Sequence, residues 1–205
     1  MTPYQRDVQE FHQRMSLPTG NYEAPAPLSG DMLKMRANLL DEELQETARA
    51  LAIGDVVEVV DGLIDVAVIT LGTFDVAGLV ARPRFAEIIA TGAYHRPWLG
   101  LTEHVSTAIR GVLSEGRSVT AVMWREHNRG WAFQRFDLLD DLLKQIAHAF
   151  TMMGPVDPRP HWNEVVRSNQ SKYPPTYRED GKLLKGPHYS PPDIAGILRA
   201  QGVVK

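Results

Sequence analysis

Six of the carboxylates in two neighbouring stretches of the chain share narrow helical arcs. LLDEELQET contains Glu42, Glu43 and Glu46, and EVVDGLID contains Glu58, Asp61 and Asp65. At about 100° per residue the first three fall within a helical arc of roughly 100°, and the second three within about 60°. The second set interrupts a run of Val, Ile and Leu apolar enough to be buried. Carboxylates a few ångströms apart repel one another, and burial disfavours their charged forms. Protonation, pairing with Lys or Arg, or a divalent cation would resolve the conflict. Few basic residues lie on these stretches, Lys34 and Arg36 among them. Hard oxygen donors without Cys or His suit Mg²⁺ or Mn²⁺, which leave positions open for water and substrate phosphates. The chemistry expected is metal-assisted work on a phosphate compound. EELQE alone is common on solvated helix faces; the weight rests on EVVDGLID, whose acids sit in an apolar run.

The elements that must carry these acids read as helices. DMLKMRANLLDEELQETARAL repeats Met32, Met35, Leu39, Leu40, Leu44 and Leu51 at helical spacing. Gly54 ends it and Asp55 can cap the next helix, VVEVVDGLIDVAVITLGTFDVAGL, so the two predict an antiparallel hairpin. A shorter amphipathic helix is expected over residues 4–15, with Val8, Phe11 and Met15 on one face. EHVSTAIRGVLSEG, DLLDDLLKQIAHAFTMM and HWNEVVRSNQSK predict three more. Between the first two of these, SVTAVMWREHNRGWAFQRF has some strand character, and a β-hairpin and irregular structure both fit it. The tail from Tyr173 is rich in Pro, Gly, Lys and Tyr with little periodicity. The fold class predicted is all-α.

Composition narrows the function classes. Of 205 residues, 43% are hydrophobic and 23% charged, an ordinary globular balance. A net charge of −3 gives no general attraction to nucleic acid or to an anionic membrane. The absence of cysteine excludes a disulfide framework, a thiolate metal site and a cysteine nucleophile. MTPYQRDVQEFHQRM lacks the apolar run of a signal peptide, and residues 56–72 are too interrupted by acids to span a membrane. The expectation is a cytoplasmic protein, in the host cytoplasm if phage-encoded.

Glu42-Glu43-x-x-Glu46 followed by Glu58-x-x-Asp61 resembles the EExxE and ExxD signature of the MazG-like all-α NTP pyrophosphohydrolases. That superfamily also holds the dimeric dUTPases and the phosphoribosyl-ATP pyrophosphohydrolases. VQEFHQRMSLP, EVVRSNQSK and REDGKLLKGPHYSPPDI are similar to segments of its phage-encoded members. The resemblance covers roughly residues 5–75 and 160–195. It implies a four-helix core that forms a homodimer or a dimer of dimers. It implies Mg²⁺-dependent attack of water at the α-phosphorus of a nucleoside triphosphate, often a dNTP, giving monophosphate and pyrophosphate. By resemblance Glu43, Glu46, Glu58 and Asp61 hold Mg²⁺, and Glu42 binds a second ion or orients the water. Asp65 stands behind them. Asn169 and Lys172 meet the phosphates, and Lys182 and Lys185 are further candidates for that contact. Tyr189 is a candidate to stack on a base.

The chain departs from that pattern between about residues 75 and 153, where phage-type members pass quickly to the SNxSK helix. This insertion carries Trp98, Trp124 and Trp131 and four of the seven histidines, without metal-type spacing. It is expected to extend a dimer surface or to wall the base pocket. The remainder reads as a single domain over residues 1–205, ending in a nucleotide-contacting tail from about 173. Phage MazZ-like relatives act on dATP and dGTP, so purine dNTPs are one substrate expectation. A dUTPase or phosphoribosyl-ATP activity, or a nucleotide-binding protein without turnover, stays open.

Overall fold

The hairpin that carries the six acids forms as expected. In the computed structural model, which describes residues 1–179 and 181–205, helix α2 spans Gly30–Ile53 and α3 spans Val56–Val76. Gly54 closes α2 with φ of 76°, a left-handed conformation that glycine adopts without steric cost. Asp55 then caps α3, its Oδ1 accepting from the Val57 and Glu58 amides at 3.1 and 3.2 Å. The short link forces α3 to run back along α2.

Six further helices surround this pair among the described residues: α1 (Pro3–Arg14), α4 (Arg84–Thr91), α5 (Glu103–Asn128), α6 (Phe136–Met152), α7 (Pro158–Gln170) and α8 (Ile194–Ala200). None of them, nor α2 or α3, is long and apolar enough to cross a membrane. There are no strands among the described residues, only isolated bridges between Leu28 and Phe133 and between Tyr177 and Leu183. The all-α fold is therefore observed.

Segment 118–136 corrects one expectation. It is neither a hairpin nor irregular at its start, because α5 continues to Asn128. Val105, Ile109, Val112, Gly116, Val119 and Met123 recur every three or four residues and are all buried, so one helical face runs the whole length. Burial of that face outweighs the β-propensity of its Val and Thr residues. Helices α4 and α8 were not expected, being short and flanked by Pro and Gly. Helix α3 also stops at Val76, three residues earlier than its pattern suggests.

Packing makes a ring. α2 lies against α3 and α5, α5 against α6, and α6 against α3, so a four-helix bundle closes within one chain. α4 covers α6, while α1, α7 and α8 pack on the other sides of α3. Two glycines allow the close approaches. A Cβ on Gly116 of α5 would lie 2.5 Å from Leu44 Cδ2 of α2. One on Gly62 of α3 would lie 2.3 Å from Thr47 Oγ1 and 3.2 Å from its Cβ. Thr47 is held in place because its hydroxyl donates to the Glu43 carbonyl at 2.8 Å. Gly62 thus gives up helix propensity of roughly 1 kcal/mol to bring the acid-bearing faces together. Gly62→Ala is expected to destabilise the protein by about 1–2 kcal/mol despite its better propensity. Adding Thr47→Ala should restore most of that loss in urea unfolding, since it removes the opposing hydroxyl and methyl.

Candidate functional site

The site is built where α2 and α3 face the end of α7. Trp162 Nε1 donates to Asp7 Oδ2 at 2.8 Å, which fixes α7 to α1. Asp157 caps α7 and Pro158 opens it, so the helix delivers Asn169 and Lys172 to its far end. The following loop is tied back: Ser190 N donates to Ser171 Oγ at 2.8 Å and Asp193 N to Glu164 Oε1 at 3.0 Å. Arg167 braces it, donating to Glu164 and to the Pro191 carbonyl, and takes no part in the site. The Tyr177–Leu183 turn folds over α2, with Gly181 (φ 88°) against Met35. Asp180, inside the REDGKLLKGP segment, lies outside the described residues.

The carboxylates divide by burial. Glu46 and Glu58 are exposed, whereas Glu42, Glu43, Asp61 and Asp65 are partly covered. Burial first, and the charge of Glu46 second, pushes the Glu43 carboxyl up to about 7. Burial and then Glu58 push Asp61 up to about 6. Asp65 is raised well above the ordinary aspartate value by burial, then by Glu43 and Asp61. Asp61 Oδ1 is buried with no hydrogen-bond partner. Glu42 behaves differently. Burial works against its charge, but Lys182 and then Arg178 donate to its two oxygens and hold its pKa below the ordinary value.

The cations come from the distant end of the chain. Lys172 donates to Asn169 Oδ1 at 2.7 Å, and the charges of Asp65 and Glu43 act on it. Burial outweighs those charges and lowers its pKa. Lys182 reaches Glu42. Lys185 is exposed, lies 4.7 Å over the Tyr189 ring, and acts on Asp61 only through its charge. Tyr189 therefore faces its own lysine and does not line the central cavity.

A cavity of about 120 Å³ leads inward from these groups. Glu43, Asp65, Asn169, Lys172 and Lys182 line it, so the structure gathers both acid motifs and both basic motifs of one chain. Among the described residues, however, no three acidic or histidine side chains converge into a ready-made cation cage. Among the described residues of 75–153, only Val76 lines this cavity. Helices α5 and α6 complete the bundle instead, and the aromatic stretch around Trp124 and Trp131 lies elsewhere.

Sequence reasoning missed the far wall of this cavity. His12 and Arg36, both almost fully buried, stand there with Phe11 and Met35. His12 Nδ1 lies 2.8 Å from Asp75 Oδ2, and Tyr22 donates to Asp75 Oδ1 at 2.6 Å. Arg36 Nε donates to Thr73 Oγ1 at 3.1 Å and Nη2 to the Ile69 carbonyl. The available signal was spacing: His12 shares the face of Val8, Phe11 and Met15, and a polar residue on an apolar face is worth following.

The raised acids set a pH dependence. Between the ordinary carboxyl range near pH 4 and about 7, the folded chain holds more protons on Glu43 and Asp61 than the unfolded chain does. Their contribution to stability is present below that window and is lost as pH rises through it. The metal-free protein should lose stability from about pH 5 to about pH 8 more steeply than Glu43→Gln does, as read by urea unfolding. Equal slopes would contradict the assignment.

A family model described as phosphoribosyl-ATP pyrophosphohydrolase matches residues 8–91. The match takes in most of α1, both acid-bearing helices and α4, and stops before α5. No curated protein and no solved structure gives a significant match. Over that segment, with its acid-bearing helical hairpin, the chain is similar to a family of nucleotide pyrophosphohydrolases.

Proposed function

We propose that the chain hydrolyses a nucleoside triphosphate, above all a deoxynucleoside triphosphate, to the monophosphate and pyrophosphate by attack of water at the α-phosphorus. The observation that carries this reading is the meeting of Glu43 and Asp65 with Lys172 at one cavity, with the charge of Asp61 acting on both acids. A triphosphate needs cations at one end and room for a nucleoside at the other, and the site has both.

The residues fit a divalent cation. All the donors are hard oxygens, three of them are pushed toward protonation by burial and then by their neighbours, and Asp61 Oδ1 has no partner among the described residues. Glu43, Glu46, Glu58 and Asp61 would hold Mg²⁺, or Mn²⁺ in its place. Such an ion neutralises triphosphate charge and lowers the pKa of a bound water. Asp65 stands behind this set, where burial raises its pKa. Glu42 is a candidate to orient the attacking water once Lys182 and Arg178 move from it to phosphate. Asn169 and Lys172, fixed by α7, meet the phosphates within the same chain. Lys185 lies near enough to add charge.

The SNQSK and GKLLKGP segments support a phage-type, cytoplasmic member, for which purine dNTPs are one substrate expectation among the dNTPs. The family match also favours a second reading, pyrophosphohydrolysis of phosphoribosyl-ATP, which would use the same acids. A homodimer or homotetramer is expected on the same grounds, although the bundle itself closes without a partner.

Product analysis tests the reaction. Incubation with Mg²⁺ and each NTP, dNTP and phosphoribosyl-ATP should release monophosphate-level product plus pyrophosphate from at least one of them. Glu46→Gln, an exposed substitution, should keep the fold and lower turnover by about 100-fold or more. Full activity in that variant would remove Glu46 from the metal set. Added Mg²⁺ should also flatten the pH dependence of stability, because a bound cation favours the ionised acids. An unchanged slope would argue against a cation among them.

A further inference from the structure

Helix register places the inner wall of the cavity at a definite distance from the acids. Arg36 lies seven residues before Glu43 on α2, and Gly72 seven after Asp65 on α3. At 1.5 Å per residue both are about 10 Å further in, on the same side of the hairpin. Phe11, Met35, Leu39 and Val68 line the passage between, an apolar slot of the kind that takes a flat ring.

Two polar groups face each other at its end. Two nitrogens of the Arg36 guanidinium are held by Thr73 and Ile69, while Nη1 makes no hydrogen bond among the described residues. His12 is oriented by Asp75. That carboxylate also accepts from Tyr22, so it takes the His12 Nδ1 proton as a second hydrogen bond, and Nε2 is left as an acceptor. Burial, reinforced by the Arg36 charge, keeps the imidazole toward its neutral form. A Cβ on Gly72 would lie 2.8 Å from Arg36 Nη2 and 3.0 Å from His12 Nε2, so the two side chains converge on one point.

We propose that this inner wall reads the nucleotide base: Arg36 donates to an exocyclic carbonyl, and His12 Nε2 accepts from the adjacent ring N–H. The inference rests on the reading of the cavity as a nucleotide site. With the phosphates at the acids, the group furthest from the sugar meets the wall first. In guanine, hypoxanthine, uracil and thymine that group is a carbonyl, flanked by a ring N–H. In adenine and cytosine it is an amine, flanked by a ring nitrogen without hydrogen. Arginine can only donate, so an amine set against it leaves donors facing donors in a buried site. Keto bases are therefore taken in preference to amino bases.

Binding of dGMP, dAMP, dTMP and dCMP to the whole chain in Mg²⁺, measured by calorimetry, tests this. The expected result is dGMP over dAMP and dTMP over dCMP by about tenfold or more in Kd. Arg36→Met should shrink both ratios to within about twofold, whereas a purely structural arginine would leave them unchanged. Since Arg36 is buried, Gly72→Ala serves as the second variant. It keeps both side chains, pushes a methyl between them, and should weaken keto binding while sparing amino binding. Equal binding by the native chain, or a preference for the amino bases, overturns the proposal. Because monophosphate binding is read apart from turnover, base-blind hydrolysis would sink this inference alone. Keto-selective binding without any hydrolysis would sink the reaction and keep it.

Discussion

Asp61 and Asp65 stand on a helix that has almost no surface of its own. Helices α1, α2, α6, α7 and α8 all pack on α3, which buries apolar residues along most of its length. Past its first turn, a helix so enclosed cannot turn Asp61 and Asp65 fully toward water. Apolar burial fixes where α3 lies, at roughly 1.5–3 kcal/mol for each large side chain taken out of solvent. The acids accept whatever environment that placement gives them. A glutamate moved from 4.5 to about 7 carries about 3 kcal/mol of disfavoured charge when ionised. Core packing is thus the stronger term, and it holds the carboxylates in a state that a cation would relieve.

Much of the remaining architecture manages that charge. α7 is pinned to α1 through Trp162 and Asp7, and this places Lys172 against Asp65 and Glu43. The turn after it brings Lys182 and Arg178 onto Glu42. At the other end of the cavity Asp75 is answered by His12, Tyr22 and the nearby Arg36 charge. Both ends are polar, and the slot between them is apolar.

Legibility in the sequence followed locality. The hairpin could be read because Gly54, Asp55 and the apolar spacing all act within a few residues. Crowding among Glu43, Asp61 and Asp65 was also readable, since helical angles alone predict it. α5 beyond Gly116 was obscured because Val119, Thr120 and Trp124 favour strands, and only the partner surface of α2 decides for a helix. His12, Arg36 and Asp75 were hidden for another reason: they belong to three elements, and nothing local marks their meeting. The segment 75–153 was expected to extend a dimer surface or to wall the base pocket on the strength of its aromatic stretch. Aromatic content says that a segment packs, not where, and α5 and α6 pack as half of the bundle.

The spacing of the site along the chain has a consequence for its manufacture. Glu42 and Lys182 are 140 positions apart, and the acids leave the ribosome long before the lysines that neutralise them. A nascent chain can bury the α2–α3 seam early, yet its acids then face one another without Lys172 or Lys182. The pocket is finished last, by the same segment that anchors α7 and α8. Incomplete translation products therefore carry the carboxylates without the lysines that offset their charge.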